Sequence, residues 1–179
     1  MAPSRVRRPP ARARKEPPPA RGSAAGLSLV VVASRFNGAY VDPMIESALE
    51  ALEERGLARA RVRLVRVPGA FELPLVAQEI ARRWAPDGIV ALGAVIRGET
   101  PHFDFVAGET ARGLMQASLE TGVPMSFGVV TANDTAQAEA RTRPPLDRGA
   151  EAARACVEAA LALADVRAAR PRSRARRPR

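Results

Sequence analysis

Histidine and cysteine are nearly absent from this chain of 179 residues, which contains one of each, His102 and Cys156. A single cysteine excludes an intramolecular disulfide framework, and the lack of a second histidine or thiol disfavours a zinc site. No apolar run approaches the roughly 20 residues that a membrane-spanning helix needs, so we expect no membrane segment. The length predicts one domain with its own hydrophobic core.

The positive charge is confined to the two ends of the chain. The formal net charge is +9, with +6 in residues 1–26, −4 in residues 27–166 and +7 in residues 167–179. Both end segments are rich in Arg, Pro and Ala and have almost no large apolar residues, so we predict that they are disordered. Binding of RNA or of an acidic partner is one interpretation of these ends. A solvated extension is the simpler one, because no aromatic side chain lies between the arginines.

Several function classes lack their sequence signatures. The start of the chain has no apolar stretch of a secretory signal, and its prolines disfavour the amphipathic helix of a transit peptide, so we expect a cytoplasmic location. Neither a GxGxxG motif nor a P-loop is present, which disfavours dinucleotide and ATP binding.

Short apolar runs alternate with helical patterns through residues 27–166. Strands are predicted at Leu27–Ser34, Val62–Val67, Gly88–Ile96 and Val123–Thr131, and helices at Asp42–Arg55, Phe71–Trp84, Phe105–Thr121, Asp134–Arg141 and Gly149–Val166. This alternation predicts right-handed crossovers and a parallel sheet covered by helices on both faces. Ligands of such sheets bind beyond the carboxyl ends of the strands, so the chemistry is expected there.

The segment between the third strand and the third helix carries the most informative chemical signal. Gly98 and Thr100 lie in a turn before a helix N-terminus, where backbone N–H groups and the helix dipole favour phosphate. His102 follows directly, and a neutral imidazole there can accept and return a proton. On position alone, a histidine that merely caps the helix is the more common outcome, so its role stays open at this point.

Four other residues are candidates for ligand contact, and each has a plain structural alternative. The guanidinium of Arg141 matches phosphate, or it is a solvated charge at a helix end. Phe36 and Phe71 follow strand ends and either sandwich a flat ring or belong to the core. Glu72 either accepts hydrogen bonds from a heterocycle or sits in the first turn of its helix. These residues predict a phosphate-binding turn beside a histidine, and no particular reaction.

Several motifs in one order resemble the lumazine synthase family. They are RFN at residues 35–37, PGAFELP at 68–74, GAVIRGETPHFD at 93–104, VAGE at 106–109, GVP at 122–124 and FGV at 127–129. The resemblance covers residues 27–166 and leaves out both ends. It implies a three-layer α/β/α, flavodoxin-like fold with four parallel strands, assembled into pentamers whose sites lie at subunit interfaces. It also implies no metal or organic cofactor.

The resemblance further implies a reaction, the penultimate step of riboflavin biosynthesis. The family joins 5-amino-6-(D-ribitylamino)uracil to 3,4-dihydroxy-2-butanone 4-phosphate and forms 6,7-dimethyl-8-ribityllumazine, with loss of phosphate and water. Riboflavin synthase is then a candidate partner beside the small-molecule substrates and further copies of the chain.

Residue roles follow from the same resemblance. Phe36 would stack on the pyrimidine, His102 would transfer protons, and Phe127 would reach the site from a neighbouring subunit. The ribityl side would be held by Ala70, Phe71, Glu72, Ala94, Val95 and Ile96. The butanone phosphate would be bound by Glu99, Thr100 and Arg141.

Two departures from the family pattern keep alternatives open. Glu99 stands where the family often has a small residue; its carboxylate should not face a phosphate, although its backbone N–H can still bind one. Residues 142–149 stand where the family has a Gly- and Lys-containing segment, and they are one residue fewer. Arg148 can stand in for the family's lysine. Because family members differ in assembly at this segment, the choice between a pentamer and a larger shell stays open. The rival hypotheses are a flavin or lumazine binder without catalysis, and a nucleic-acid-associated or scaffold protein that uses its arginine-rich ends.

Overall fold

Four parallel strands form one sheet in the order β2-β1-β3-β4. The computed structural model describes residues 23–169. The strands are β1 (Leu29–Ser34), β2 (Arg63–Val67), β3 (Gly88–Ile96) and β4 (Met125–Ala132). The α-helices of the described residues are α1 (Gly38–Glu54), α2 (Leu73–Trp84), α3 (His102–Thr121), α4 (Thr135–Glu139) and α5 (Arg148–Ala168), and short 3₁₀ turns lie at Arg59–Arg61 and Ala70–Glu72. The predicted element order is confirmed.

The central strands β1 and β3 are buried on both faces, as their continuous apolar sequences predict. Successive side chains of β1 alternate between two cores: Val31 packs with residues of α1 and α5, whereas Val32 packs with residues of α2 and α3. The helices therefore cover both faces of the sheet, which confirms the predicted three-layer α/β/α architecture. No helix among the described residues is long and apolar enough to cross a membrane.

The folded region extends past the predicted limits of residues 27 and 166. Ala24 is buried, and its N–H donates to the carbonyl of Arg55 at 2.9 Å. At the other end, α5 continues to Ala168, and the Arg167 guanidinium donates to the carbonyl of Gly122 at 2.8 Å. Residues 1–22 and 170–179, which hold the remainder of the two segments predicted to be disordered, lie outside the described residues.

Two helix starts differ from the prediction. Helix α3 begins at His102 instead of Phe105, directly after Pro101, whose fixed φ suits the start of a helix. Helix α1 begins at Gly38 instead of Asp42, after Asn37 in the left-handed conformation (φ 58°). Asn tolerates that conformation better than most residues, so a short turn leads directly from β1 into α1.

Candidate active site

A cleft of about 820 Å³ opens at the carboxyl ends of β1, β2 and β3. Three chain segments build it: the turn after β1, the Pro68–Glu72 loop after β2, and the stretch from the end of β3 into α3. This is the edge of the sheet where ligands bind in parallel α/β folds. The cleft brings together nine of the predicted site residues, which are Phe36, Ala70, Phe71, Glu72, Ala94, Val95, Ile96, Thr100 and His102.

Hydrogen bonds fix the turn that carries Phe36. Its N–H donates to the carbonyl of Pro68 at 2.9 Å, and the side-chain amide of Asn37 donates to the carbonyl of Ala94, also at 2.9 Å. The turn after β1 is thereby tied to the ends of both neighbouring strands. Phe36 is 71% exposed and lines the cleft, so a ring whose backbone is held in place is available for stacking there.

The loop after β2 presents Glu72 to the same cleft. One carboxylate oxygen of Glu72 accepts the N–H of Gly69 at 2.8 Å, which holds the side chain over its own turn. The buried hydroxyl of Thr110 on α3 lies 3.1 Å from the carbonyl oxygen of Ala70 and 2.6 Å from that of Val106 on its own helix, so it shares its hydrogen between the loop and the helix. The carboxylate is therefore an acceptor in a fixed place, which suits recognition of hydroxyl or N–H donors.

His102 is the first residue of α3, and its side chain is exposed where it lines the cleft. Gly98 and Thr100 line the same cleft just before it, and at Gly98 a Cβ would find open space. Unpaired N–H groups at a helix start carry partial positive charge, so this end of the cleft suits an anion next to an imidazole. Glu99, which lies between Gly98 and Thr100, is also exposed but does not line the cleft.

Arg97 precedes this turn and forms a cluster of contacts with Asp104, Asn133 and Phe103. Its guanidinium donates to both carboxylate oxygens of Asp104, at 2.8 and 3.2 Å, and to the side-chain oxygen of Asn133 at 3.2 Å. It also lies 4.2 Å from the ring centre of Phe103, which lines the cleft. The hydrogen bond from Arg97 holds the pKa of the Asp104 carboxyl below its usual value.

A second, smaller cavity of about 310 Å³ lies along β4, at the edge of the sheet. Phe127, Arg141 and Arg148 line it. The N–H of Arg148 donates to the carbonyl of Arg141 at 3.0 Å, which closes the 142–147 loop and places the two arginines at its two ends. A guanidinium of Arg141 also donates to the carbonyl of Gln137 at 2.9 Å. The cavity combines two cations with an aromatic ring, which is 46% exposed.

Phe127 and Arg141 do not line the cleft; in the described part of the chain they line this second cavity. In the sheet register Phe127 lies beside Ala91, whereas the cleft lies around Ile96 at the end of β3. Five residues of strand span about 16 Å. Eleven of the twelve predicted site residues therefore form two groups at separate places on the described part of the chain, and Glu99 belongs to neither.

Some cleft residues were not predicted as site residues. Asn37, Phe103, Phe105 and Val106 line the cleft beside those that were. With α3 beginning at His102, Phe105 and Val106 lie three and four residues further along the helix and share its face. A helix start placed at Pro101, rather than at Phe105, would have given this spacing.

Comparison with known proteins gives one consistent result. Residues 26–164 match the model of the 6,7-dimethyl-8-ribityllumazine synthase family. The chain is 50% identical over 136 residues to the 6,7-dimethyl-8-ribityllumazine synthase of Nitratidesulfovibrio vulgaris strains DP4 and Hildenborough, and the match covers 75% of this chain and 87% of each relative. The protein of that name from strain Miyazaki F is 47% identical over the same length.

Proposed function

Since the chain belongs to the 6,7-dimethyl-8-ribityllumazine synthase family, we propose that the cleft is the active site in which it forms this product. The chain condenses 5-amino-6-(D-ribitylamino)uracil with 3,4-dihydroxy-2-butanone 4-phosphate. The observation that carries the assignment to the cleft is that the matched segments after β1, β2 and β3 converge there. A stacking ring, a fixed carboxylate and a histidine at a helix start thus line one space.

The aminouracil occupies the end of the cleft near Phe36 in this proposal. Its flat pyrimidine stacks on the exposed Phe36 ring, since such a ring favours offset contact with another π-system. Its ribityl hydroxyls meet the Glu72 carboxylate and the backbone of Ala70 and Phe71. The apolar end of β3, from Ala94 to Ile96, forms the floor beneath them.

The butanone phosphate occupies the start of α3. Backbone N–H groups of the turn at Gly98, Glu99 and Thr100 bind the phosphate, and the Thr100 hydroxyl adds a hydrogen bond. The exposed Glu99 carboxylate points away from the anion in this arrangement. The helix dipole and the N–H groups then stabilise the phosphate that leaves.

His102 performs the proton transfers. The amine of the uracil attacks the ketone carbon, water leaves and an imine forms. Loss of a proton from the hydroxyl-bearing carbon of the butanone, next to the imine carbon, then expels phosphate from the neighbouring carbon and leaves an enol. The enol becomes a ketone, the ribityl-bearing nitrogen attacks it, and loss of a second water closes the ring. Each step moves a proton to or from a reacting atom, which a neutral imidazole beside the phosphate can do. Holding both substrates in one cleft supplies much of the remaining acceleration.

A neighbouring subunit completes the site. Phe127, Arg141 and Arg148 form a cationic and aromatic surface, separate from the cleft of their own subunit. If one subunit places this surface over the cleft of the next, the two arginines neutralise the phosphate and Phe127 covers the stacked heterocycle. Such a head-to-tail contact closes into a ring when the rotation fits, and we propose a pentamer.

An exposed apolar surface supports this assembly. It comprises Leu75 of α2 and Phe105, Met115 and Leu119 of α3, each 63–77% exposed. A monomer rarely leaves so many large apolar side chains on two adjacent helices in water. Covering them in a subunit interface next to the cleft would complete the site and remove the exposure together.

The test is turnover with both substrates. The chain should release phosphate and form the fluorescent lumazine faster than the same substrates alone, and no acceleration would overturn the proposal. His102→Ala should slow turnover, on the order of 100-fold, while inorganic phosphate still binds. Lumazine binding without turnover would favour the rival hypothesis of a binding protein. Native mass measurement should give a multiple of five subunits.

Two further expectations derive from the family alone. They are a cytoplasmic location and an association with riboflavin synthase. Cell fractionation tests the first. Co-purification of riboflavin synthase with the tagged chain tests the second, and a chain lacking residues 1–22 and 170–179 shows whether the basic ends contribute.

A further inference from the structure

Arg97 lies between the sheet and the turn that begins the phosphate site. Its backbone N–H donates to the carbonyl of Ala132 at 2.9 Å, which continues the ladder between β3 and β4 by one bond. Its guanidinium reaches forward to Asp104 and sideways to Asn133, which follows β4. The residue therefore connects three elements, β3, β4 and α3.

The contact with Asp104 bridges the whole turn. Arg97 directly precedes residues 98–101, and Asp104 lies in the first turn of α3 just after them. The bidentate pair of Arg97 and Asp104 therefore joins the two ends of this four-residue turn. The N–H of Asp104 also donates to the carbonyl of Pro101 at 2.9 Å. The start of the helix cannot shift relative to the strand without breaking this pair.

Arg97 makes more contacts than an arginine in an ordinary surface ion pair does. Most exposed ion pairs contribute little, because solvent screens them and the side chains lose freedom. Here the planar guanidinium is bidentate to one carboxylate, bonds a third oxygen at Asn133, and lies 4.2 Å from the centre of the Phe103 ring. A rigid fork with several partners loses less freedom per bond than a flexible pair.

The same contacts commit most of the Arg97 guanidinium to the protein. Three of its five N–H groups, one each on Nε, Nη1 and Nη2, donate to protein oxygens, and Arg97 does not line the cleft in the described part of the chain. Phe103, against which it stacks, does line the cleft. An effect of Arg97 on the site must therefore pass through the turn and the ring it holds.

We propose that Arg97 is a positioning residue for the phosphate monoester: through Asp104 and Asn133 it holds the 98–101 turn and the start of α3 in place. The inference rests on the proposed function of the cleft. In this arrangement the turn at residues 98–100 touches the phosphate, and Arg97 fixes the geometry of that turn. Loss of Arg97 should thus weaken phosphate binding with little change in the aminouracil site.

The experiment compares Arg97→Gln, Arg97→Lys, Asp104→Asn and the double variant Arg97→Gln/Asp104→Asn. Arg154→Gln is the matched control, because Arg154 also forms an exposed ion pair between two elements, with Glu54 at 3.1 Å, far from the cleft lining. Two quantities are measured for each variant: KM for both substrates with kcat, and the Kd of inorganic phosphate by calorimetry. Thermal unfolding identifies any variant that fails to fold.

Arg97→Gln should raise KM for the butanone phosphate and the Kd of inorganic phosphate on the order of 10-fold, and leave KM for the aminouracil nearly unchanged. Asp104→Asn should act in the same direction, and the double variant should add little, since both remove one bridge. Arg97→Lys should fall between, because a lysine keeps the charge without the fork.

Other results would overturn the inference. If Asp104→Asn tightened phosphate binding, the freed guanidinium would be acting as a direct ligand. If Arg97→Gln matched Arg154→Gln in both measurements, Arg97 would have no positioning role. A wild-type chain without turnover, in which Arg97→Gln still weakened phosphate binding, would refute the proposed function and leave this inference standing.

Discussion

Helix α5 packs closely against α1 at Gly149, and replacing this glycine with alanine should separate the two helices. A Cβ there would lie 2.2 Å from the carbonyl oxygen of Met44 on α1, 2.8 Å from its carbonyl carbon and 2.6 Å from the hydroxyl of Ser47. Two of these atoms belong to backbone and cannot rotate away. Since an ordinary contact requires roughly 3.4 Å, α5 must move by about 1 Å from α1.

The cost follows from what that movement breaks. Overpacking a well-filled core costs about 1–3 kcal/mol, and occasionally more. The start of α5 also loses its anchor, since one oxygen of the capping Asp147 accepts the Ser47 hydroxyl at 2.7 Å and the N–H of Ala150 at 3.1 Å. We expect Gly149→Ala to destabilise the chain by about 2–4 kcal/mol. For a domain of this size that lowers Tm by roughly 5–15 °C.

The assay is thermal unfolding with a matched glycine. Gly26→Ala is the control, because a Cβ at Gly26 meets no atom within 4 Å and its φ is not in the left-handed region. It should unfold within about 1 °C of the wild type. A Gly149→Ala chain that unfolds as late as Gly26→Ala would refute the close approach of α1 and α5. Because Arg148 precedes Gly149, surviving Gly149→Ala protein should also bind phosphate more weakly.

Three further predictions concern single contacts. Burial raises the pKa of Cys156 to about 12, so the thiol should resist iodoacetamide at mildly alkaline pH and react only after unfolding in denaturant; rapid labelling of the native chain would contradict this. Asp134 caps α4 by accepting the N–H of Gln137 at 2.7 Å, so Asp134→Ala should cost about 1 kcal/mol in denaturant unfolding, and Asp134→Ser should recover most of it. Asn37→Gly keeps the left-handed turn but loses the bond to Ala94, so the variant should fold and have a higher KM for the aminouracil. Asn37→Val should have the higher KM and also a lower Tm, because valine is strained in the left-handed conformation. Equal Tm values for the two variants would refute that strain.

The strands and the main layers were predictable from the sequence because they depend on local patterns. The run Gly88–Ile96 has a continuous apolar sequence, typical of a strand buried on both faces, and β3 has those bounds. The short fourth helix was predicted to begin at Asp134, a residue type typical of helix N-caps, and the Asp134 side chain caps α4. Helix α3 begins three residues before its predicted start, because the helix starts directly after Pro101 and the apolar periodicity is visible only from Phe105 onwards.

The arrangement of the site was harder to predict because it depends on contacts between distant segments. Asn37 bonds Ala94, and Arg97 bonds both Asp104 and Asn133, and no local spacing indicates these partners. They follow from the strand order, which places β3 between β1 and β4. The separation of Phe127 from the cleft likewise depends on sheet register, which a sequence pattern does not give.

In the proposed assembly, the cleft of one subunit and the arginines of its neighbour form a single site. The direct test co-expresses His102→Ala and Arg141→Ala chains with different tags and measures turnover of doubly tagged assemblies. In a random ring about a quarter of the interfaces would join an intact cleft to an intact Arg141, so turnover should rise well above the mean of the two parent variants, towards about a quarter of the wild-type value. Turnover equal to that mean would contradict a site shared between subunits.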